Sequence, residues 1–329
     1  MSLSKYPSAL DDDSNMPDRV PFVDLYEAAH INLVQDAVKA IEAELGANPS
    51  GNLATLKDRI AGVIDEDGKL IPYFPGNVLT VGPDHCHFTS VQAAIDSIED
   101  ASAQKKYTIL IYPGVYSENV TLKQYVSLFG YNKRNTTIQG KLTPATHTII
   151  YNLTIQKALP NDYLVDTSNC YDLIFSHVDI INDDEGGAVT NSGSSVGVHF
   201  YHSTLRSANE DDFDYYAYHT TGKSADFFYC TLEIGCKSAV YFDSNSSGSP
   251  RFEHCRFNGG DAGISWASDG HPIPTVLFSF FSSSHHALDA PSSKGSFVSN
   301  IVANCDYDSI LHNVDNYAQH PILATIYEE

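Results

Sequence analysis

Five six-residue windows recur in the middle of the chain and decide its fold. They are Ile150-Tyr-Asn-Leu-Thr-Ile155, Phe175-Ser-His-Val-Asp-Ile180, Phe200-Tyr-His-Ser-Thr-Leu205, Phe227-Phe-Tyr-Cys-Thr-Leu232 and Phe252-Glu-His-Cys-Arg-Phe257. Their first residues are 25, 25, 27 and 25 positions apart, and two looser windows follow at Phe278 and Phe297. A strand-forming repeat of this length is typical of a β-solenoid, in which each coil pairs with the coils above and below it.

The columns of the aligned windows alternate as a pleated strand requires. Positions one and six are large and apolar, position four is small or medium, and position five is polar. The third column contains Asn152, His177, His202, Tyr229 and His254. We expect these side chains, one from each coil, to stack as a ladder at one bend. Metal ligands must instead converge on a single point, which residues spread over successive coils cannot do. The predicted fold is mainly β, a right-handed parallel β-helix with a small α-helical N-terminal module.

Charge and composition exclude several classes of partner. Lys and Arg total 19 against 41 Asp and Glu, so the net charge is −22. Such a surface repels phosphate backbones and anionic lipid. The chain has no apolar run of about 18 residues and no secretory signal pattern. We therefore expect no nucleic-acid partner, no membrane insertion and no cofactor. The six cysteines lack zinc-site spacing, so we expect no metal site and mostly buried, reduced thiols.

The pattern outside the windows divides the chain further. We predict a flexible lead at 1–21, a helical module at 22–64, a linker at 65–82, a β-helix with an N-terminal capping helix at 83–316, and a C-terminal strand or tail at 317–329. In the helical module, Asp24 and Glu27 have the form of a capping box. Apolar residues then recur at helical spacing, among them Val34, Val38 and Ile41. This stripe packs either within the chain or as a seam between identical chains.

Three segments near the start of the β-helix carry a resemblance to a known fold family. Phe88-Thr-Ser-Val-Gln-Ala-Ala-Ile95, Ile109 to Val120 (ILIYPGVYSENV) and Val126-Ser-Leu-Phe-Gly130 resemble the opening of pectinesterase-like and pectin-lyase-like β-helices. The resemblance implies that the first helix caps the open end of the solenoid. The family's Gln-Asp-Thr motif is absent, and the segment from Gly222 to Tyr229 (GKSADFFY) only distantly resembles its second motif. No catalytic residue is carried over.

A second resemblance lies in the N-terminal module. Residues from His30 to Ile60, with the core Glu44-Leu-Gly-Ala-Asn-Pro-Ser-Gly51, resemble a segment near the N-termini of tailed-phage structural proteins, especially fibres and spikes. In such appendages this module docks to other virion proteins, and the β-structure projects outward as a homotrimer. The resemblance implies a virion protein that is assembled in the host cytoplasm.

Two acidic turns are the candidate functional sites. Asp183, Asp184 and Glu185 follow one window, whereas the next window is followed by Asp211, Asp212, Asp214, Tyr215, Tyr216 and Tyr218. Neighbouring coils could bring the two turns together, and the tyrosines could stack on sugar rings. Three interpretations remain: solvated turns, a glycan or cation site with oxygen ligands, or paired carboxylates for glycoside cleavage.

The function predicted from these patterns is a structural one. We expect a bacteriophage tail fibre, spike or similar appendage that presents its β-helix to the host surface, including host polysaccharide, or to virion proteins. One alternative is a polysaccharide-degrading tailspike that uses side-face carboxylates. Another is a head or baseplate protein without receptor contact.

Overall fold

The computed structural model describes residues 34–42, 77–208, 215–235, 238–267, 274–282, 286–289, 296–298 and 301–303. The chain divides into two compact units, Met1–Tyr73 and Phe74–Glu329. The predicted flexible lead, capping box and C-terminal strand or tail lie outside the described residues.

In the first unit, residues 34–42 form a helix, α1, within the predicted helical module. Two members of its apolar stripe, Val34 and Ile41, remain 63% and 58% exposed. The packing of this stripe, within the chain or as a seam between identical chains, stays a prediction.

The second unit contains three parallel sheets. Sheet 1 consists of β1 (Val78–Val81), β2 (Tyr107–Ile111), β5 (Val126–Gly130), β8 (Thr148–Tyr151), β11 (Tyr171–Ser176), β14 (Val196–Tyr201), β17 (Asp226–Phe228), β20 (Arg251–Glu253), β23 (Thr275–Leu277) and β26 (Ser296–Val298). Sheet 2 consists of β3 (Gly114–Tyr116), β6 (Thr136–Ile138), β9 (Thr154–Lys157), β12 (Asp179–Asn182), β15 (Thr204–Ser207), β18 (Thr231–Ile234), β21 (Arg256–Asn258), β24 (Phe280–Ser282) and β27 (Ile301–Ala303). Sheet 3 consists of β4 (Val120–Thr121), β7 (Leu142–Thr143), β10 (Tyr163–Asp166), β13 (Gly187–Asn191), β16 (Tyr218–Thr220), β19 (Val240–Phe242), β22 (Ala262–Trp266) and β25 (His286–Asp289).

Successive coils each add one strand to every sheet, which confirms the predicted parallel β-helix. Phe175 pairs with Ile150 in the preceding coil and with Phe200 in the next. The sequence windows run from the end of a sheet 1 strand into a sheet 2 strand. We call this turn the first corner, the turn from sheet 2 to sheet 3 the second corner, and the turn from sheet 3 to sheet 1 the third corner.

The interior is built from stacked side chains. Phe175, Phe200, Phe227 and Phe252 are fully buried, and consecutive ring centroids lie 4.7, 4.9 and 5.0 Å apart with nearly parallel planes. The sixth column is buried in the same way from Ile155 onward. Because burial of apolar surface is the main favourable term in folding, these two columns form the core that holds the coils together.

The predicted window at Phe278 lies two residues out of register with the structure. Phe252 pairs with Val276 and not with Phe278, because this coil is shorter than the window assumed. Phe278 therefore occupies the third column, where its ring stacks on His254 at 5.2 Å. The window at Phe297 is correct, since Val276 pairs with Phe297.

In six successive coils, from Asn152 to Phe278, the first corner is a single residue in the left-handed region, and these residues form the predicted ladder. Its members have φ between 48° and 57°: Asn152, His177, His202, Tyr229, His254 and Phe278. Rings of neighbouring coils stack with centroids 4.8 Å apart for His177 and His202, and 4.9 Å for His202 and Tyr229. The backbone N–H of His202 donates to Phe228 O in the next coil. The ladder is therefore structural, as predicted.

A short helix, α2 (Val91–Asp96), lies at the start of the β-helix and buries Val91, Ala94 and Ile95. The Glu118 carboxylate, from the pectinesterase-like segment, accepts hydrogen bonds from the N–H groups of Val91 and Gln92 at 2.7 and 3.0 Å. These N–H groups have no partner inside the helix, so Glu118 fixes its first turn. The β-helix begins at Val78, earlier than the predicted boundary at 83, because β1 pairs with β2.

The cysteines within the described residues are free thiols. Cys170, Cys230 and Cys255 are buried and Cys86 is half-buried, in agreement with the prediction of mostly buried cysteines. Burial raises the pKa of Cys170 to about 11, so this thiol stays protonated at neutral pH. In the described part of the chain, no helix is both long and apolar enough to cross a membrane.

Candidate functional site

The second corner holds the predicted acidic turns. Asp183, Asp184 and Glu185 lie between β12 and β13, and the connection of residues 208–217 lies between β15 and β16, one coil further on. The two turns therefore leave the same edge of sheet 2 in consecutive coils, as the repeat spacing predicts. Asp211, Asp212 and Asp214 lie outside the described residues, so the distance between the two carboxylate clusters stays untested.

A buried amide anchors the first acidic turn. Asn182 is fully buried, and its Nδ2 donates to Leu159 O at 3.0 Å and to Gly187 O at 3.1 Å. Its Oδ1 accepts from the N–H groups of Leu159 and Asp184. At Gly186 the chains approach so closely that a Cβ would lie 2.1 Å from Leu159 O. The start of the turn is thus fixed by groups that a larger or apolar residue could not replace.

The Asp183 carboxylate joins three coils. Its Oδ2 accepts from Gln156 Nε2 at 2.5 Å, one coil back, and its Oδ1 accepts from Arg206 Nη2 at 3.0 Å, one coil forward. The backbone N–H of Asp183 also donates to Lys157 O. Both carboxylate oxygens are therefore engaged, which suits a group that ties coils together more than one that transfers a proton to substrate.

The other two acids of the turn are half-buried and shape it locally. The Oδ1 of Asp184 accepts from the N–H of Glu185 at 2.9 Å.

Asp162 lies at the second corner of the preceding coil. Burial acts to raise the pKa of Asp162, but hydrogen bonds from Lys141 Nζ and the Tyr163 N–H outweigh it, so this pKa lies below its usual value. The corner therefore combines carboxylates with cations from neighbouring coils.

An open cleft of about 310 Å³ lies beside this turn. It is lined by Arg206, Ser207, Ala208, Glu233, Ile234 and Gly235. Arg206 and Glu233 are register neighbours on β15 and β18, so a cation and an anion stand side by side at the cleft. The Nε of Arg206 is buried and has no hydrogen-bond partner among the described residues. A ligand rich in hydroxyl groups would find donors and acceptors here.

The structure corrects the predicted role of two tyrosines. Tyr218 is fully buried, its oxygen accepts from the Ala225 N–H at 3.0 Å, and burial raises its pKa to about 12. Tyr216 is only 6% exposed, and its ring lies parallel to that of Tyr241 at 4.4 Å. Neither presents an exposed face to a sugar, because both rings are used in packing. Tyr215 is half-buried, with its ring 5.4 Å from that of Tyr163.

Sequence reasoning missed the cluster on the outside of sheet 3 to which these rings belong. His219 lies 5.8 Å from the Tyr163 ring and 5.5 Å from the Tyr216 ring, and its Nε2 is 4.0 Å from Asp243 Oδ2. The sheet 3 strands are in register at Val165, Val189, Tyr218, Val240 and Ile264. Their spacing varies from coil to coil, so alignment at a fixed period could not find them.

The arrangement at the second corner can bind by hydrogen bonds and charge. Carboxylate, guanidinium and amide groups lie along one edge, and the cleft next to them is large enough for part of a sugar chain. In the described ranges, no group of three or more His, Cys, Asp or Glu could hold a metal ion.

Comparison with known proteins finds similarity only among solved structures. No protein-family model matches the chain, and no curated protein matches its sequence. A pectin methylesterase from Aspergillus niger is 13% identical, with a TM-score of 0.45 over 77% of this chain and 93% of that one. The pectin methylesterase from carrot is 13% identical, with a TM-score of 0.42 over 71% and 73%. ORF18 of Geobacillus virus E2 is 8% identical, with a TM-score of 0.35 over 88% and 63%. The likeness is one of fold, and no residue role is taken from it.

Proposed function

We propose that this chain is a structural component of a bacteriophage virion, a tail fibre, spike or similar appendage. Its β-helix contacts host-surface polysaccharide or other virion proteins through the second corner. The N-terminal module, whose residues from His30 to Ile60 resemble phage fibre and spike proteins, docks to the particle.

The observation that carries the proposal is that the Asp183 carboxylate at the candidate site is bound by side chains of neighbouring coils. Asp183 is held by Gln156 and Arg206 from the coils on either side. The ion pairs of Lys133 with Asp179 and of Lys141 with Asp162 likewise join separate coils. Charges that tie coils together stiffen a projecting rod, whereas an enzyme needs carboxylates free to exchange protons.

Immunogold electron microscopy tests the proposal. Antibodies against the purified chain are applied to purified particles of the phage that carries the gene. We expect gold at tail fibres or spikes, and mass spectrometry of the same particles should detect the chain. A chain that stays in the soluble lysate and never bands with particles would overturn the proposal. Label on the head or baseplate would favour the architectural alternative instead.

Binding by the cleft is tested with labelled protein on host cells. Replacing Arg206 by Gln and Glu233 by Gln removes both charges of the cleft, and we expect cell binding to fall at least about tenfold because charged hydrogen bonds are lost. Arg256→Gln is the matched control, since Arg256 is an exposed arginine of the same sheet that does not line the cleft. Equal binding by all variants would remove the cleft from the proposal.

A second candidate function is cleavage of the bound polysaccharide. The observation in its favour is that the two acidic turns occupy the same corner in consecutive coils, beside the cleft. Release of reducing ends from host polysaccharide by the wild type, lost in the Asp211→Asn and Asp212→Asn variants, would establish it. Intact polysaccharide after prolonged incubation would exclude it.

A further inference from the structure

We infer that the outer face of sheet 1 is a self-association surface, through which further copies of this chain pack against it. The inference names the contact by which the proposed trimer would form, and to that extent it rests on the proposed function. Three copies would turn sheet 1 toward a common axis.

Exposed apolar side chains are concentrated on this face. Six of the seven large apolar side chains that stay exposed in the described part of the β-helix lie on sheet 1 or in the turns that border it. These six are Tyr131, Ile149, Tyr171, Val196, Tyr229 and Phe278. The seventh, Val115, lies on sheet 2. Such clustering distinguishes an interaction surface from the scattered apolar residues of an ordinary surface.

The acidic side chains of the same face lie against basic side chains within it. Asp172 Oδ2 lies 2.9 Å from His147 Nδ1, and Asp226 Oδ2 lies 3.3 Å from His199 Nδ1, contacts that balance charge only where the imidazole is protonated. Arg251 Nη2 lies 2.7 Å from an oxygen of Glu253 on the same strand. At physiological salt charges act over only about 8 Å, so the local balance of a face matters more than the net charge of −22. The Arg251–Glu253 pair therefore lowers the repulsion that two copies of this acidic chain meet at this face.

The aromatic rings of the first corner fit a protein partner better than a glycan. In the stack of His202, Tyr229 and His254, each ring lies 4.7 to 4.9 Å from the next at small interplanar angles. The faces of the middle ring are covered by its neighbours, and Tyr229 is 52% exposed. What it presents outward is a ring edge. Edges pack against the faces of other aromatic rings, as in protein interfaces, whereas sugars need an open face.

The size of the face comes close to what a stable contact needs. From β5 to β23, seven strands at about 4.8 Å spacing give a length of roughly 30 Å, and the longest strands, β11 and β14, give a width of roughly 20 Å. The projected area at this width is roughly 600 Å², against the ~800 Å² that each partner contributes to a typical stable interface.

Light scattering on the full chain tests this surface. The double variant Ile149→Glu and Val196→Glu places two charges on the face, at positions 37% and 48% exposed. Like charges buried opposite each other in an interface repel, so we expect the association constant to fall at least about tenfold. Val115→Glu is the matched control, because Val115 is 67% exposed on sheet 2. It should assemble like the wild type, whose mass should be three times 36.0 kDa.

Three outcomes would overturn the inference. The wild type could be a monomer at micromolar concentration, which would leave the face to a glycan or another virion protein. The double variant could assemble as the wild type does, or Val115→Glu could weaken assembly equally. Circular dichroism and the melting temperature confirm that each variant is folded. Failure of the proposed function appears separately, as absence of the chain from phage particles.

Discussion

The first and second corners of the β-helix lie at opposite ends of the same sheet 2 strands, yet different interactions stabilise them. At the first corner, six successive coils from Asn152 to Phe278 each turn on one left-handed residue, and from His177 onward its ring stacks on the next, as His202 does on Tyr229. At the second corner the turns differ in length and are rich in acids such as Asp183 and Asp184. A solenoid with one invariant corner can tolerate variation at another, and binding groups can therefore accumulate there.

The largest effect is expected in the core that both corners enclose. Phe227→Ala removes a ring that stacks on Phe200 and Phe252, and it leaves a cavity between coils. We expect a loss of about 3–5 kcal/mol in the free energy of unfolding, measured by urea denaturation. A loss below about 1 kcal/mol would mean that the interior column does not hold the coils together.

The first corner should respond to the shape of its residue. His202 has φ of 48°, which a β-branched residue adopts poorly. His202→Val should therefore lower the free energy of unfolding by about 2–4 kcal/mol, from backbone strain and lost stacking. His202→Asn loses only the ring and should cost about half as much. Equal losses in the two variants would show that the left-handed conformation does not matter.

The pH dependence of stability should also originate at the first corner. Burial lowers the pKa of His177 below 6.5, helped by the neighbouring His202 and by Lys133, which is paired with Asp179. Because the folded state binds this proton less readily than the unfolded state, the contribution of neutral His177 is complete above pH 6.5 and decreases as the pH falls below it. The urea midpoint of the wild type should fall between pH 7.5 and 5.5, and it should fall less in His177→Asn. Identical slopes would contradict this assignment.

The smallest effect is expected at the second corner. The Arg206 and Asp183 side chains are 43% and 34% exposed, so solvent screens their ion pair. Arg206→Gln should lower the free energy of unfolding by about 0.2–1 kcal/mol, and the difference should shrink in 1 M NaCl. Thermal melts at two salt concentrations check this. A loss larger than that of His202→Asn would reverse the comparison between the corners.

The predictability of each region follows from how regular its spacing is. The first and sixth columns and the ladder were found because coils from Ile150 to Phe252 have nearly equal lengths. The window at Phe278 was misplaced as soon as one coil became shorter. The strands of sheet 3 could not be predicted in this way, because the turns before them vary in length, as between Val189 and Tyr218.

For the candidate site, the sequence predicted which residues lie there but not which contacts they make. The sequence places Asp183 after a strand, and the repeat puts the two acidic turns in neighbouring coils. Whether the Asp183 carboxylate contacts solvent, a ligand or Arg206 depends on the register between coils to within one residue. The alternation of apolar and polar residues in the sequence does not define this register. Burial of Tyr216 was equally hidden, because it follows from the ring of Tyr241 in the next coil.

Hydrogen exchange of single backbone amides tests most directly whether the first corner is the rigid support and the second the freer one. The N–H groups of His177, His202 and Tyr229 each donate to a carbonyl of the next coil, whereas those of Asp184 and Glu185 donate to side-chain oxygens. We expect the first three to exchange only through global unfolding, at least about a hundredfold more slowly than the other two. Equal rates at the two corners would contradict this division of the molecule.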